Sequence, residues 1–207
     1  MKLYYAETLN PRKVCAAARY LNTPVEFVRV DLSKRENRTP AFLALNPNGK
    51  VPVLELDGRT LWEANAIMCC LARRAQSDLW PADERQIDVI RWLNWSSEHF
   101  SRFAGRLYFE HVIKPRFGLG APDAAAVGEA NGYVRTYASV LNTHLHDRKY
   151  LVDDILTVAD FAVAATLPYA EQARLPLAGF TEIERWYGQL NELPAWRDPF
   201  PAAEKTA

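Results

Sequence analysis

The chain has 207 residues, 49% of them hydrophobic and 24% charged, enough for one large domain or two small ones with ordinary cores. Lys+Arg and Asp+Glu each total 25, which excludes the basic excess usual for a nucleic-acid partner. Cys15, Cys69 and Cys70 are an odd set without CxxC spacing, so neither a disulfide framework nor a dithiol redox site is expected.

The opening MKLYYAETLN has no long apolar run. No segment approaches the roughly 20 apolar residues of a membrane span. The expectation is a cytoplasmic protein without a membrane partner. Charge is uneven along the chain. Up to Ala75 there are 12 Lys/Arg against 7 Asp/Glu, and beyond it 13 against 18, so the first part suits a small anionic ligand.

In chain order, KLYY reads as a strand and VEFVRVDL (25–32) as a second. Between them NPRKVCAAARYLN predicts a helix with Asn10 as N-cap and Pro11 at the first helical position. Its apolar face is Val14, Ala17, Ala18 and Leu21. This β-α-β order favours a parallel crossover. TPAFLAL predicts a short helix. VPVLEL and TLW, joined across Asp57-Gly58, predict a hairpin, and EANAIMCCLARR a helix after it. Residues 1–75 thus form an α/β domain of thioredoxin type, 76–83 a linker with Pro81, and 84–207 an all-α domain. Within that second domain helices are expected over 83–114, stopped or kinked before Pro115, then from about 122 to 145, 157 to 173 and 182 to 193.

Three stretches carry candidate chemistry. Pro52 cannot supply a ladder N–H, so its strand begins at an edge or turn. A cis bond there would turn the Val51 amide and carbonyl outward, ready to pair with an extended peptide. Lys50 beside it could hold a carboxylate. Glu63, Ala64 and Asn65 open a helix, whose free N–H groups attract anions, and Glu63 could accept from an ammonium group. Trp95, His99 and Phe103 follow at i, i+4 steps on the long helix. No His or Cys partner stands at ligand spacing from His99, so no metal site is expected.

NPNGKVPVLELDG, EANAI and LTVADFAVA, at their spacing, resemble the glutathione transferases, most nearly the serine-type theta, phi and bacterial groups. The resemblance covers nearly the whole chain. It implies a thioredoxin-like glutathione-binding domain followed by a helical domain. Glutathione would be a co-substrate with no cofactor, the second partner a small hydrophobic electrophile, and the assembly a homodimer.

Carried onto this sequence, it implies that Val51 pairs with the cysteinyl backbone of glutathione beside a cis Pro52. Glu63 and Ala64, with Asn65, would hold the γ-glutamyl end, and Lys50, Asn37 and Arg38 the glycyl carboxylate. Trp95, His99 and Phe103 would contact the second substrate. Ala64 departs from the family's serine, a loss of about 1.5–3 kcal/mol if nothing replaces that bond. Thr8 falls where the thiol-activating serine usually stands, with Asn10 as the second choice. Thr157 and Asp160 match a folding motif, the N-capping box, and no chemistry is assigned to them. Glutathione-dependent disulfide or peroxide reduction, and a non-catalytic binding role on the same fold, are the alternative readings.

Overall fold

The computed structural model describes residues 1–201. The chain divides into two compact units. One comprises Met1–Trp80 and the described residues from Asn191 onward; the other is Pro81–Leu190.

The first unit runs β1 (Lys2–Tyr5), α1 (Leu9–Tyr20), β2 (Glu26–Arg29), α2 (Pro40–Leu45), β3 (Val53–Leu56), β4 (Arg59–Trp62) and α3 (Ala64–Arg74). Its sheet has the order β2-β1-β3-β4, with β1 parallel to β2 and antiparallel to β3. The β3–β4 hairpin turns through Asp57 (φ 48°) and Gly58 (φ 75°), the two positive φ angles that a type I′ turn demands. Leu3, Val14, Leu54, Ile67, Met68 and Leu71 are fully buried, each contributing about 1.5–3 kcal/mol of transfer free energy.

Helix α1 starts two residues earlier than its sequence suggests. Thr8 is the N-cap, in extended conformation, and its carbonyl accepts from the Arg12 N–H at 3.0 Å. Asn10 therefore lies inside the first turn, and Pro11 sits at the third helical position. Capping propensity alone could not rank two good caps two residues apart.

The second unit is helical. One long helical run contains α4 (Arg85–Trp95), α5 (Ser101–Tyr108) and α6 (Lys114–Phe117), separated by π-helical turns at Ser96–Phe100 and Phe109–Ile113. The run passes Pro115 instead of stopping before it. The π turn just ahead shifts the hydrogen-bond register by one residue, which accommodates a residue without an N–H. After it come α7 (Ala124–Leu145), α8 (Val158–Ala164) and α9 (Thr181–Asn191). Ala130, Val134, Ala138, Leu141 and Leu145 form the buried face of α7. Among the described residues no helix is long and apolar enough to cross a membrane.

The final short helix, α10 (Pro194–Arg197), corrects the expectation that everything from 84 to the end belongs to the helical half. Arg12 donates through Nη2 to the Trp196 carbonyl at 2.8 Å, and its guanidinium lies 5.5 Å from the Trp196 ring centre. The Phe200 ring stacks on Tyr5 at 5.8 Å. The last expected helix ends at 193, and nothing local says which unit receives Trp196 and Phe200.

Candidate functional site

Strand register brings three of the candidate stretches to one end of the first unit's sheet. Tyr4 pairs with Val53, and Val53 with Trp62. The loop after β1, the Val51–Pro52 segment before β3 and Glu63 after β4 therefore emerge side by side. The Val51–Pro52 bond is cis, as the resemblance implies.

The loop leading to Pro52 is pinned by a residue the sequence reading missed. Asn46 is 3% exposed. Its Nδ2 donates to the Lys50 carbonyl at 2.7 Å, and its Oδ1 accepts from the Asn48 N–H at 3.0 Å. Asn37 Nδ2 donates to the Gly49 carbonyl at 2.8 Å. Gly49 has φ +60°, a conformation that side chains rarely adopt, and a Cβ there would stand 3.0 Å from the Asn37 carbonyl oxygen, which favours glycine. Asn37, Arg38, Lys50, Val51 and Pro52 are thus gathered into one loop cluster, with the Arg38 and Lys50 side chains exposed.

Glu63 has φ 73° and ψ 114°, a conformation that costs a non-glycine residue about 1–3 kcal/mol and is found mainly at functional positions. It leaves the Glu63 side chain exposed without a capping bond. Ala64 is buried directly after it, and Asn65 Oδ1 accepts from Lys13 Nζ at 2.8 Å. Lys13 is also absent from the sequence reading. Its signal is the run VCAAA that follows, which makes α1 buried on nearly every side and leaves this lysine no route to solvent.

Thr8 is half-buried at the start of α1, and its side chain makes no capping hydrogen bond. A threonine N-cap normally accepts from the N–H of the second or third helical residue; Pro11, the third here, has none, and the N–H of Asn10, the second, is not taken by the Thr8 side chain. Among the described residues the hydroxyl is left uncommitted at the positive end of a 12-residue helix, where an anion is favoured. Asn10, the second choice, is exposed.

Other sulfur or hydroxyl chemistry in this unit is muted. Burial pushes the Cys15 and Cys69 thiols up to about 12, so neither is an available thiolate at neutral pH. The Tyr4 hydroxyl donates to Glu55 at 3.3 Å, and burial raises the pKa of Tyr5.

The residues named for a second substrate divide. His99 and Phe103 line a cleft of about 680 Å³ within the helical unit, together with Arg102, Tyr133 and Tyr137. Phe103 stacks on Tyr133 with ring centres 4.2 Å apart. Trp95 does not line it. It packs edge-on against Trp92 at 5.0 Å and stacks on Phe100 at 6.0 Å, so it serves the aromatic packing behind the cleft.

A thioredoxin-like unit with a cis-proline loop and a strained acidic helix start, joined to an all-helical unit, defines a class of two-unit, glutathione-handling proteins. Family models place the chain within it: the glutathione S-transferase N-terminal domain matches residues 1–73 and the C-terminal domain residues 100–194. The chain belongs to the glutathione S-transferase family. Glutathione S-transferase 3 of Zea mays is 35% identical over 179 residues, covering 83% of this chain and 80% of that protein. A solved glutathione S-transferase III in apo form superposes with a TM-score of 0.83 at 31% identity, covering 97% of this chain and 98% of the other. Elongation factor 1-gamma 2 of Oryza sativa subsp. japonica is 29% identical over 91% of this chain. That match spans only 45% of the factor's own length.

Proposed function

We propose that this chain is a glutathione transferase in which the Thr8 hydroxyl donates a hydrogen bond to the glutathione sulfur. That bond favours the thiolate over the thiol. The thiol proton leaves to solvent, the thiolate forms a carbon–sulfur bond to a small apolar electrophile, and the leaving group departs with its electron pair. The observation that carries this reading is the uncommitted Thr8 hydroxyl at the start of α1, beside the cis Val51–Pro52 segment.

In the same reading the Val51 backbone pairs with the cysteinyl part of glutathione. Glu63 takes the γ-glutamyl ammonium, and the first turn of α3 takes its carboxylate. Lys50, with Asn37 and Arg38, faces the glycyl carboxylate. His99 and Phe103 supply apolar contacts for the second substrate, Asn10 assists Thr8, and the working form is a homodimer.

A calorimetric titration with glutathione tests the binding half, and turnover of an aryl halide against a small disulfide tests the chemistry. Saturable binding with faster conjugation of the halide is expected. Faster reduction of the disulfide would move the assignment to a reductase, which needs no protein thiolate and so fits the protonated cysteines.

A second reading is a binding module without turnover. Ala64 favours it, since the helix start lacks the serine hydroxyl. So does the likeness to elongation factor 1-gamma 2, a protein not named as a transferase. No heat with glutathione up to about 10 mM, and no thermal shift, would put that reading first.

A further inference from the structure

Lys13 is 7% exposed, on the face of α1 that meets the start of α3. Its ammonium carries three donors and no acceptor, so it must face the oxygen of the Asn65 amide, as it does at 2.8 Å. One hydrogen bond is a thin set of partners for a buried cation, and removing an ammonium from water is costly. The burial lowers the Lys13 pKa to about 8, although Glu63 pulls it partly back up.

The position of this charge is informative. Asn65 is the second residue of α3, and Ala64, the first, presents no hydroxyl to a ligand. The chain thus lacks one neutral donor at this helix start and has a buried cation beneath it.

The geometry points to Lys13 as a positioning residue for the γ-glutamyl α-carboxylate of glutathione: it fixes Asn65 and places a positive charge under the start of α3, in place of the serine hydroxyl that Ala64 lacks. This rests on reading that helix start as the γ-glutamyl site. Bound carboxylate and buried ammonium would stabilise each other, because each supplies the opposite charge that the other lost on leaving water.

The test compares wild type, Lys13→Met and Lys13→Gln by calorimetry. The ligands are S-hexylglutathione and its analogue with 4-aminobutyrate in place of the γ-glutamyl residue, which lacks only the α-carboxylate. The hexyl tail keeps the weaker complexes measurable. Lys13→Met is expected to weaken S-hexylglutathione binding about 10- to 100-fold and to leave the analogue within about twofold. Lys13→Gln, which can still donate to Asn65 but has no charge, should fall between. Thermal unfolding checks that both variants fold, and the methionine variant should melt no lower than wild type because a buried charge is gone.

Equal losses for both ligands, or no loss for S-hexylglutathione, overturn the inference while leaving the parent reading intact. Failure of wild type to bind glutathione itself overturns the parent reading and this one with it.

Discussion

Two helix starts in this molecule begin with threonine and use it in opposite ways. Thr157, at the head of α8, and Thr8, at the head of α1, have nearly the same backbone, φ −130° and ψ 170° against φ −138° and ψ 173°. Thr157 Oγ1 accepts from the Ala159 N–H at 3.3 Å and donates to Asp160 at 3.1 Å. Its donor and its acceptor are both occupied inside the core. Among the described residues Thr8 has neither occupied: Pro11 removes one of the two N–H groups it could accept from, and the Asn10 N–H is not taken.

The buried charges beside the two starts differ in the same sense. Asp160 accepts from the Leu151 N–H, the Thr157 N–H, the Thr157 hydroxyl and Trp186 Nε1, all at 2.9–3.1 Å. Among the described residues the Lys13 ammonium donates to Asn65 alone. A helix start built for stability satisfies every polar group it buries. One built for a ligand leaves some of them for the ligand to complete.

The largest effect expected from this contrast is at the satisfied end. Asp160→Ala strands the Leu151 N–H, the Trp186 N–H and the Thr157 N–H in the core. At about 1–3 kcal/mol for a buried donor without a partner, a loss of about 3 kcal/mol or more is expected in urea denaturation. Glutathione affinity of the protein that remains folded should be unchanged. A loss under about 1 kcal/mol would mean that the network is ornamental.

Lys13 gives the next largest effect, in its pH dependence. Its folded pKa, about 8, lies below the ordinary 10.5. Between those two values the unfolded chain holds more protons than the folded one, so stability rises as pH climbs through that window. The gain is up to about 3 kcal/mol at the top of the window and absent below pH 7. Denaturation midpoints of wild type and Lys13→Met at pH 7.5 and pH 10 should diverge, with the rise confined to wild type. Parallel behaviour would show that Lys13 reaches water.

Much of the fold was legible in the chain. Asp57-Gly58 announced the hairpin, alternation marked the strands, and Thr157 with Asp160 three residues on spelled the capping box. Each signal lies within a few residues. The site was legible in part for the same reason: Val51-Pro52 and Glu63-Ala64-Asn65 are local words, and strand pairing then sets them side by side. What escaped depends on distant neighbours. Lys13 looks like an ordinary surface lysine until α3 covers it. Asn46 looks like a turn residue until its side chain is seen holding the Lys50 carbonyl. Trp95 fits a helical stripe with His99 and Phe103, yet it packs among Trp92, Phe100, His99 and Tyr137 without lining the cleft. The start of α1 was misplaced because Asn10 and Thr8 are both good caps, and only the extended backbone at Thr8 separates them.

Thr8→Ala tests the other start directly. With no capping bond to lose, it should change stability by less than about 0.5 kcal/mol, against the ~1 kcal/mol usual for removing a threonine cap. Turnover should fall about 100-fold, the scale seen when one oriented donor to a developing anion is removed, with glutathione affinity nearly unchanged. A full capping loss with turnover intact would reverse the comparison. If Asn10→Ala abolished turnover instead, the thiolate donor would be the exposed amide.

The smallest effect is also the most specific. Pro11→Ala restores an N–H at the third helical position, from which the Thr8 hydroxyl can accept; Thr157 accepts instead from the second position of its helix, the Ala159 N–H. The new cap would contribute about 1 kcal/mol, largely offset by the conformational freedom the unfolded chain regains without proline. Net stability should therefore move by less than about 1 kcal/mol. The hydroxyl keeps its proton, but its rotamer is now drawn toward the helix and away from a ligand sulfur. Turnover should drop about three- to tenfold with glutathione affinity held, a partial copy of Thr8→Ala. If turnover is unchanged while a crystal structure of the variant shows the cap formed, the absence of the cap is incidental to the chemistry. Thr8 would then owe its role to position alone.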